Sequence, residues 1–281
     1  MIRLIHGDAE TAMRDLVHEP RSALVYVDPP FNTGREHLMP DGSLAFDDRW
    51  PSLEAYVAAM ASLAYSAWPL LLPGGSLVVH VDPKTSHYLK VAFDSTLGRG
   101  NFASEIVWRY RRWPSKQRNF QRVHDVLLRY VQPEAKPRWV QLYEPLSPST
   151  LKHWGGKKQV AVFDAERGKS VKANRKKSST LNTPSLGCPL GDVWEFPIIA
   201  PMAKERTGYP TQKPEALLER LVSSLTEPGD YVLDPTSGSG TTLAVCARLG
   251  RSAVGIDSSD AAYRVATERL HSVLGTQEAA S

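Results

Sequence analysis

The sequence has little cysteine and no long hydrophobic run. Its two cysteines, Cys188 and Cys246, lie far apart and outside any Cys-x-x-Cys pair, which excludes a disulfide scaffold and a cysteine zinc site. The apolar stretch 67–72 is already interrupted by Pro69, so nothing approaches the roughly 20 apolar residues of a membrane helix. The first residues turn polar after Ile5, unlike a secretory signal. We therefore expect a cytoplasmic chain without a membrane anchor, and no metal site.

What the sequence does have is size and an uneven distribution of charge. Its 281 residues are enough for one large domain, or for one domain with a substantial insertion. Residues 99–180 carry 19 basic and 6 acidic side chains, a net charge of +13. The rest of the chain carries 15 basic and 24 acidic side chains, a net charge of −9. This division predicts a segment that binds a polyanion, attached to a mildly acidic domain.

Aromatic residues alternate with the basic ones in this segment, a combination that suits nucleic acid because cations meet phosphates and aromatic faces meet bases. We expect about half of these aromatic residues to lie in the core instead. The basic run 167–177 is equally well explained as a solvated loop. The residues predicted to contact DNA are Arg109, Arg111, Arg112, Lys116, Arg118, Arg175, Lys176 and Lys177.

Strand-like and helix-like stretches alternate at both ends of the chain, which predicts an α/β fold with a mostly parallel sheet. Between about 101 and 206 this pattern fades, apart from strand-like stretches at 105–110 and 125–131, and we expect an irregular insertion there. The predicted strands are 2–6, 23–27, 76–81, 231–234 and 253–256. The predicted helices are 52–71, 84–97, 214–225, 241–249 and 261–274.

A glycine-rich turn, 234–242 with the sequence DPTSGSGTT, lies between a predicted strand and a predicted helix. Such a turn can hold a nucleotide-like ligand, and Asp257, 19 residues after Gly238, lies at the distance typical of a ribose-binding carboxylate. A P-loop would need a lysine before Thr241, and a dinucleotide fingerprint would need glycine in place of Leu243. The acidic Asp234 favours S-adenosylmethionine, which is positively charged. A simple tight turn is the alternative.

A second motif, Asp28-Pro29-Pro30-Phe31, directly follows the apolar strand 23–27. Ligands of open α/β sheets bind at this end of the strands. The two prolines stiffen the backbone, so that the Asp28 carboxylate and a main-chain carbonyl can accept both hydrogens of a planar amino group. The ring of Phe31 can stack on a heterocycle. Taken alone, the motif is also compatible with a capped turn.

The two motifs together, with Asn32-Thr33-Gly34 and with Pro210-Thr211-Gln212-Lys213-Pro214 ahead of the glycine turn, resemble the DNA methyltransferases that modify adenine N6 or cytosine N4. The resemblance covers about 1–131 and 205–272, in the circularly permuted motif order of the beta class. It implies the class I, Rossmann-like methyltransferase fold, with one antiparallel strand and S-adenosylmethionine as methyl donor. Thr236 departs from the family, which usually has phenylalanine there, and this change could weaken cofactor binding.

The resemblance also implies an organisation in three parts. Residues 1–112 form the catalytic half of the methyltransferase domain, and residues 205–281 form its cofactor-binding half. Residues 113–204 form an inserted target-recognition region with the basic loop, although the strand 124–131 is expected to belong to the core sheet.

The site residues are carried over by the same resemblance. Asp28 and the carbonyl of Pro29 would accept the hydrogens of the target amine, Pro30 would stiffen the loop, and Phe31 would stack on the extruded base. The pair His124-Asp125 recurs in the family, and a structural role explains it equally well. The residues implied to surround the cofactor are Asp8, Thr211, Lys213, Asp234, Thr236, Ser237, Gly238, Ser239, Gly240, Thr241 and Asp257.

Other activities remain open from the sequence. A methyltransferase of RNA or of a protein amide would usually carry asparagine at position 28 and place the cofactor turn first. A nucleic-acid-binding module on an inactive domain is a further alternative, which S-adenosylmethionine binding would distinguish. Within the family that the sequence resembles, aspartate at the first position of the motif accompanies adenine more often, so Asp28 slightly favours adenine as the target. The partners expected from the resemblance are double-stranded DNA, a second copy of the chain and a cognate restriction endonuclease.

Overall fold

The computed structural model describes residues 1–114, 116, 118–154, 156–157, 161–164, 169–172 and 184–278. The strands are β1 Ile2–His6, β2 Ser22–Val27, β3 Glu36–Leu38, β4 Leu44–Asp47, β5 Leu71–Val81, β6 Phe102–Arg109, β7 His124–Val131, β8 Tyr143–Glu144, β9 Ala161–Asp164, β10 Lys169–Lys172, β11 Cys188–Pro189, β12 Val193–Glu195, β13 Tyr231–Asp234 and β14 Ser252–Asp257. The helices are α1 Ala9–Asp15, α2 Leu53–Ala67, α3 Ser86–Phe93, α4 Pro148–Trp154, α5 Glu215–Leu225, α6 Thr241–Arg248 and α7 Asp260–Glu278.

Eight of these strands form one sheet in the order β1-β14-β13-β2-β5-β7-β6-β12. Every neighbouring pair is parallel except those of β7, which runs antiparallel to both β5 and β6. This mostly parallel sheet with one antiparallel strand confirms the predicted class I methyltransferase fold. The strand that begins at His124 lies inside the sheet, between two core strands.

The centre of the sheet joins the two ends of the sequence. β2 pairs with β13 in parallel register, Leu24 opposite Val232 and Val25 opposite Leu233. All six residues of β2 are buried, as expected for a strand covered on both faces. Because parallel neighbours end at the same edge of a sheet, this pairing brings Asp28 and Asp234 side by side although 205 residues separate them in the chain.

The predicted helix 52–71 and strand 76–81 meet differently from expectation. The helix begins after Ser52, whose side chain accepts the Ala55 N–H as a cap, but it ends at Ala67. A short 3₁₀ turn leads directly into β5, which runs through Pro73-Gly74-Gly75 instead of starting after it. Gly74 has a φ of +80°, and a side chain there would collide with the carbonyl oxygen of Lys136. These glycines therefore form an irregularity inside a strand and do not end an element.

The chain separates into two compact units, Met1–Val140 with Asp192–Ser281, and Gln141–Gly191. The larger unit contains the eight-stranded sheet, with a core in which α2 and α3 pack on the central strands. The smaller unit contains α4, the antiparallel pair β9 and β10, and the antiparallel pair β8 and β11. None of the helices in the described residues has the length and apolarity needed to cross a membrane.

Candidate active site

The carboxyl ends of β2, β13 and β14 open into one cavity of about 360 Å³. Open α/β sheets place their ligands at this edge. The cavity collects most of the residues predicted from the two motifs, which come from both ends of the sequence. Its predicted lining residues are Asp8, Asp28, Pro29, Pro30, Phe31, Thr211, Lys213, Asp234, Thr236, Ser237, Gly238, Ser239, Thr241 and Asp257.

Asp48 holds the loop that carries the Asp28-Pro29-Pro30-Phe31 motif. Its carboxylate accepts the backbone N–H groups of Phe31 at 3.2 Å, Asn32 at 2.8 Å and Thr33 at 2.8 Å. It also accepts the hydroxyl of Thr33 at 2.6 Å. Asn32 adopts a positive φ of 57°, and Asp48 is only 1% exposed. A buried carboxylate with this many donors fixes the loop firmly, because breaking the set would leave a desolvated charge unpaired.

Asp28 is bonded to the glycine turn through its backbone and to Lys213 through its side chain. Its N–H donates to the hydroxyl of Thr236 at 2.8 Å, so the residue that replaces the usual phenylalanine ties the catalytic loop to the glycine turn. Both Asp28 carboxylate oxygens accept from Nζ of Lys213 at 2.6 Å. The same ammonium lies 4.8 Å from the centre of the Phe31 ring. Both acceptor oxygens of Asp28 are therefore bonded to Lys213 in this structure.

Two carboxylates at the ends of β13 and β14 face the cavity: Asp234, which is buried, and Asp257, which is partly buried. Burial, followed by the charges of Asp28 and Asp257, raises the pKa of Asp234 to about 7, although hydrogen bonds from Thr242 and Thr236 act in the opposite direction. Burial also raises the pKa of Asp257, which accepts the N–H of Gly238 at 2.8 Å. Gly238 itself adopts a φ of +50°, a conformation that favours glycine.

The charge of the cavity suits a cationic ligand. Five of its lining residues are aspartates, Asp8, Asp28, Asp48, Asp234 and Asp257, against one lysine. The hydroxyl of Ser237 is buried without a hydrogen-bond partner among the described residues. S-adenosylmethionine carries a positive ammonium and a positive sulfonium, so the residues present fit it. Asp234 and Ser237 would hold its methionine part, and Asp257 its ribose.

The other residues predicted to bind the cofactor contact other parts of the protein in this structure. Asp8 lines the cavity, but its Oδ1 caps α1 by accepting the N–H of Thr11 at 2.9 Å and its hydroxyl at 2.7 Å. Gly240 adopts a φ of +70° and faces Ala266. Thr241 accepts from Nη1 of Arg269 at 2.8 Å, which holds the start of α6. The ligand roles of these residues remain predictions.

Of the predicted DNA contacts, Arg109 ends β6, and Arg111, Arg112, Lys116 and Arg118 lie on the loop between β6 and β7. Since β6 is parallel to β2, this loop leaves the sheet from the same edge at which the cavity lies. Arg109 and Arg111 both pair with Glu195, at 2.8 Å and 3.8 Å, and the Arg111 side chain is 87% exposed. Arg112 lies 5.2 Å from the centre of the Tyr110 ring. Lys116 and Arg118 are exposed as well. Arg175, Lys176 and Lys177 lie outside the described residues.

The aromatic residues of the basic segment divide as expected. Trp108, Tyr110 and Tyr130 are buried and belong to the core. Trp113 and Phe120 are 89% and 98% exposed on the loop between β6 and β7. The loop therefore presents two uncovered aromatic faces among its basic side chains.

Sequence reasoning missed two groups behind the site. Asp48 belongs to no motif, since its partners are backbone N–H groups that any residue would supply. His80 is fully buried in β5, with Nδ1 2.9 Å from the hydroxyl of Tyr26. The signal for it was a histidine inside the otherwise apolar stretch 76–81. Asp125, already singled out with His124, faces Nε2 of His80 at 3.4 Å.

Comparisons with known proteins agree with this geometry. The sequence profile of the DNA methylase family that modifies N6 or N4 amino groups matches residues 23–268. The fold and the site thus define an S-adenosylmethionine-dependent enzyme that methylates an exocyclic amino group of DNA. The chain belongs to the N6/N4 DNA methylase family.

Individual relatives span nearly the whole chain. The Type II methyltransferase M.HpaI of Haemophilus parainfluenzae is 29% identical over 96% of this chain and 74% of its own length. The DNA adenine methyltransferase YhdJ of Escherichia coli K12 is 26% identical over 95% and 82%. Among solved structures, the M1.HpyAVI–SAM complex has a TM-score of 0.60 at 23% identity, covering 96% of this chain and 99% of that one. The cytosine-N4-specific PvuII DNA methyltransferase has a TM-score of 0.62 at 16% identity, covering 95% and 86%. These structural likenesses show the shared fold.

Replacing Asp48 tests the anchor of the catalytic loop. Asp48→Asn should lower the free energy of unfolding by about 2–4 kcal/mol, because charge-assisted hydrogen bonds are lost in a buried place. Methylation should fall at least about tenfold as the loop loses its fixed geometry. Denaturant unfolding and single-turnover methylation measure the two effects. Asp47→Asn, on the exposed neighbour, is the matched control, and equal behaviour of the two variants would contradict this role.

The raised pKa of Asp234 predicts a pH-dependent cofactor affinity. A bound cation favours the ionised form of Asp234. At pH 6 Asp234 is mostly protonated and must lose its proton when the cofactor binds, whereas at pH 8 it is already ionised. The affinity for S-adenosylmethionine should therefore fall as the pH drops through about 7, by up to about tenfold per pH unit. Titration calorimetry in buffers of different ionisation enthalpy should show the released proton. Asp234→Asn should bind more weakly and lose the slope; a slope that persists in this variant would exclude Asp234 as its source.

Proposed function

We propose that this chain transfers a methyl group from S-adenosylmethionine to the exocyclic amine of a base extruded from double-stranded DNA, with adenine N6 as the target. The observation that carries the proposal is the shared cavity at the ends of β2 and β13. The Asp28 motif, which can accept an amine, and the Asp234 turn, which can hold a cationic cofactor, both line it. No other pair of motifs in the sequence combines these two chemistries.

The residues of the chain prepare a poor nucleophile for reaction. The lone pair of an exocyclic amine is delocalised into the ring, so the nitrogen is planar and weakly nucleophilic. The carboxylate of Asp28 and the carbonyl of Pro29 accept its two hydrogens and favour a pyramidal nitrogen with a directed lone pair. Bound S-adenosylmethionine supplies an electrophilic methyl group on a positively charged sulfur. The Asp48 hydrogen bonds keep the acceptors in place while the lone pair is aimed at that methyl group.

The target atom is inaccessible inside a duplex, so the base must leave the stack. Phe31 is only partly buried, and its ring borders the cavity directly after Pro30. One side of the ring is supported by His80, whose ring centre lies 5.6 Å away. We propose that Phe31 stacks on the extruded base, a contact worth about 1–3 kcal/mol.

Adenine is proposed as the target base for two reasons. Aspartate at the first position of the motif accompanies adenine more often within the family, and one curated relative is a DNA adenine methyltransferase. After DNA is incubated with the enzyme and cofactor, mass spectrometry of its nucleosides should reveal N6-methyldeoxyadenosine. N4-methyldeoxycytidine would overturn the choice of base but not the chemistry. Modification of RNA alone would overturn the proposal.

Two substitutions distinguish the residue that acts in the reaction from the residue that binds the cofactor, when both the methylated nucleoside and the cofactor affinity are measured. Asp28→Ala should abolish the methylated nucleoside while cofactor affinity stays nearly intact, because Asp28 faces the target amine. Asp257→Ala should instead weaken cofactor binding, because the proposed ribose contacts are lost. Equal losses of cofactor affinity in the two variants would contradict these roles.

The exposed basic loop between β6 and β7 is proposed to contact DNA phosphates. Its cations lie at the same edge of the sheet as the acidic cavity, so they attract the DNA backbone while the cavity holds the cationic cofactor. Trp113 and Phe120 add exposed aromatic faces on the same loop. The loop thus combines the two chemistries that nucleic acids offer, charge and stacking.

Salt dependence tests this contact. The double variant Arg111→Ala, Arg118→Ala should reduce the slope of log affinity against log salt by up to about 2, since each phosphate contact contributes about 0.9. Fluorescence anisotropy with a labelled duplex measures the slope. Arg21→Ala is the control, because Arg21 is exposed just before β2, at the opposite edge of the sheet. An unchanged slope in the double variant would exclude the loop, and the same test on Lys176 and Lys177 addresses the second basic run.

The wider setting is proposed on the likeness to Type II methyltransferases. A cognate restriction endonuclease would cut the sequence that this chain protects. A cytoplasmic location is proposed because DNA and S-adenosylmethionine are available there. A homodimer, expected from the family resemblance, remains a prediction.

A further inference from the structure

A buried histidine lies directly behind the catalytic loop. His80, in β5, has no solvent exposure, and its Nδ1 lies 3.8 Å from Oδ1 of Asp28. Its Nε2 faces Oδ2 of Asp125 at 3.4 Å. Trp108 packs edge-on against the ring, with the centres 5.7 Å apart. The imidazole is therefore fixed between two carboxylates, one of which belongs to the proposed reaction.

The reaction proposed above leaves Asp28 with a proton that it must give up before the next turnover. The lone pair of the amine forms the new N–C bond, and the S–C bond breaks with its electrons going to sulfur. The nitrogen then carries a positive charge and one proton too many. Asp28, already hydrogen-bonded to the amine, takes this proton and becomes a neutral acid. To act as an acceptor again, it must pass the proton on.

Among the described residues, two basic nitrogens lie within 4 Å of the Asp28 carboxylate: Nζ of Lys213 and Nδ1 of His80. An ammonium has no lone pair and cannot accept a proton. Tyr26 is the third polar neighbour of the imidazole, but burial, together with the charge of Asp28, raises its pKa well above 10, so it remains a phenol. The imidazole is thus the group equipped to accept.

Asp125 is placed to stabilise the charge that His80 would gain. Burial pushes the pKa of Asp125 up, but its interactions with His80, Lys213 and Tyr110 outweigh burial and hold this pKa below its usual range. The hydroxyl of Tyr110 donates to Oδ1 of Asp125 at 2.9 Å and orients it. The titratable groups that face His80 or its partners come from four parts of the chain: Tyr26, Asp28, Tyr110, Asp125 and Lys213.

We propose that His80 receives the proton of the target amine from Asp28 and, as an imidazolium supported by Asp125, restores Asp28 to a carboxylate. Nδ1 gains the proton, and the hydroxyl of Tyr26, 2.9 Å away, turns from donor to acceptor. The proton leaves to solvent after the methylated base departs. His80 is a positioning and proton-accepting residue that acts through Asp28, and this role rests on the proposed function.

The decisive variant is His80→Asn, which keeps a polar atom near the Nδ1 position but cannot titrate there. Methylation over many turnovers is followed from pH 5.5 to 9, because His80 would restore Asp28 after methyl transfer and so limit the later turnovers. Cofactor and DNA are saturating, so that the titration of Asp234 does not contribute. Wild type should show a rate that rises with pH to a plateau. His80→Asn should react about 10–100 times more slowly at pH 7.5 and lose that inflection. Cofactor affinity should stay within about twofold.

A second readout needs no turnover. In protein labelled with ¹⁵N-histidine, the imidazole shifts of His80 at fixed pH should change in Asp28→Asn, because the carboxylate 3.8 Å from Nδ1 loses its charge. The exposed His18, on the 3₁₀ turn after α1, is the internal control. If His80→Asn does not fold, Asp125→Asn serves instead, and it should slow the reaction while keeping the inflection at a changed pH.

The possible outcomes distinguish a failure of the His80 proposal from a failure of the proposed function. An active His80→Asn enzyme with the wild-type pH profile would overturn the proton-accepting role and leave the proposed function standing. A slow variant that keeps the wild-type inflection would show that the ring only packs, which also overturns the inference. Unchanged His80 shifts in Asp28→Asn would do the same. Failure of wild-type protein to methylate DNA would overturn the proposed function and the inference with it.

Discussion

The pairing of β2 with β13 is the interaction on which the site depends. Two strands from opposite ends of the sequence lie next to each other at the centre of the sheet, and their last residues become neighbours. The hydrogen bond from the Asp28 N–H to the Thr236 hydroxyl then joins the catalytic loop to the cofactor turn. Because threonine makes this bond, a position where the family usually has phenylalanine gains a connecting role in this chain.

Acidic and basic side chains occupy different parts of the carboxyl edge of the sheet. Carboxylates collect in the cavity, where burial raises the pKa of Asp234 to about 7, while exposed cations occupy the adjacent loop between β6 and β7. A cationic cofactor and an anionic polymer can therefore approach neighbouring parts of one edge without competing. The modest net charge of +4 conceals this separation.

Sequence reasoning reached those parts of the site that are written as contiguous motifs. Asp28 and Asp234 were predicted because each follows an apolar strand and belongs to a short, recognisable turn. Asp48 and His80 could not be predicted in the same way, because their partners lie on other elements and come into reach only in the folded chain. The strand predicted over 76–81 begins earlier, at Leu71, for a related reason: the glycine after Pro73 indicates a turn locally, and only the sheet shows that the strand continues through it.

The order of the strands also determines when the protein can acquire its structure during synthesis. β1 has β14 as its single neighbour in the sheet, and β2 has β13 on one side, so β1 and one edge of β2 stay unpaired until residues 231–257 are made. While the ribosome is still making the middle of the chain, these early strands expose unpaired backbone edges, which are prone to aggregation. The site is therefore completed late, when β13 and β14 join the sheet and bring the Asp234 turn next to the loop that carries Asp28.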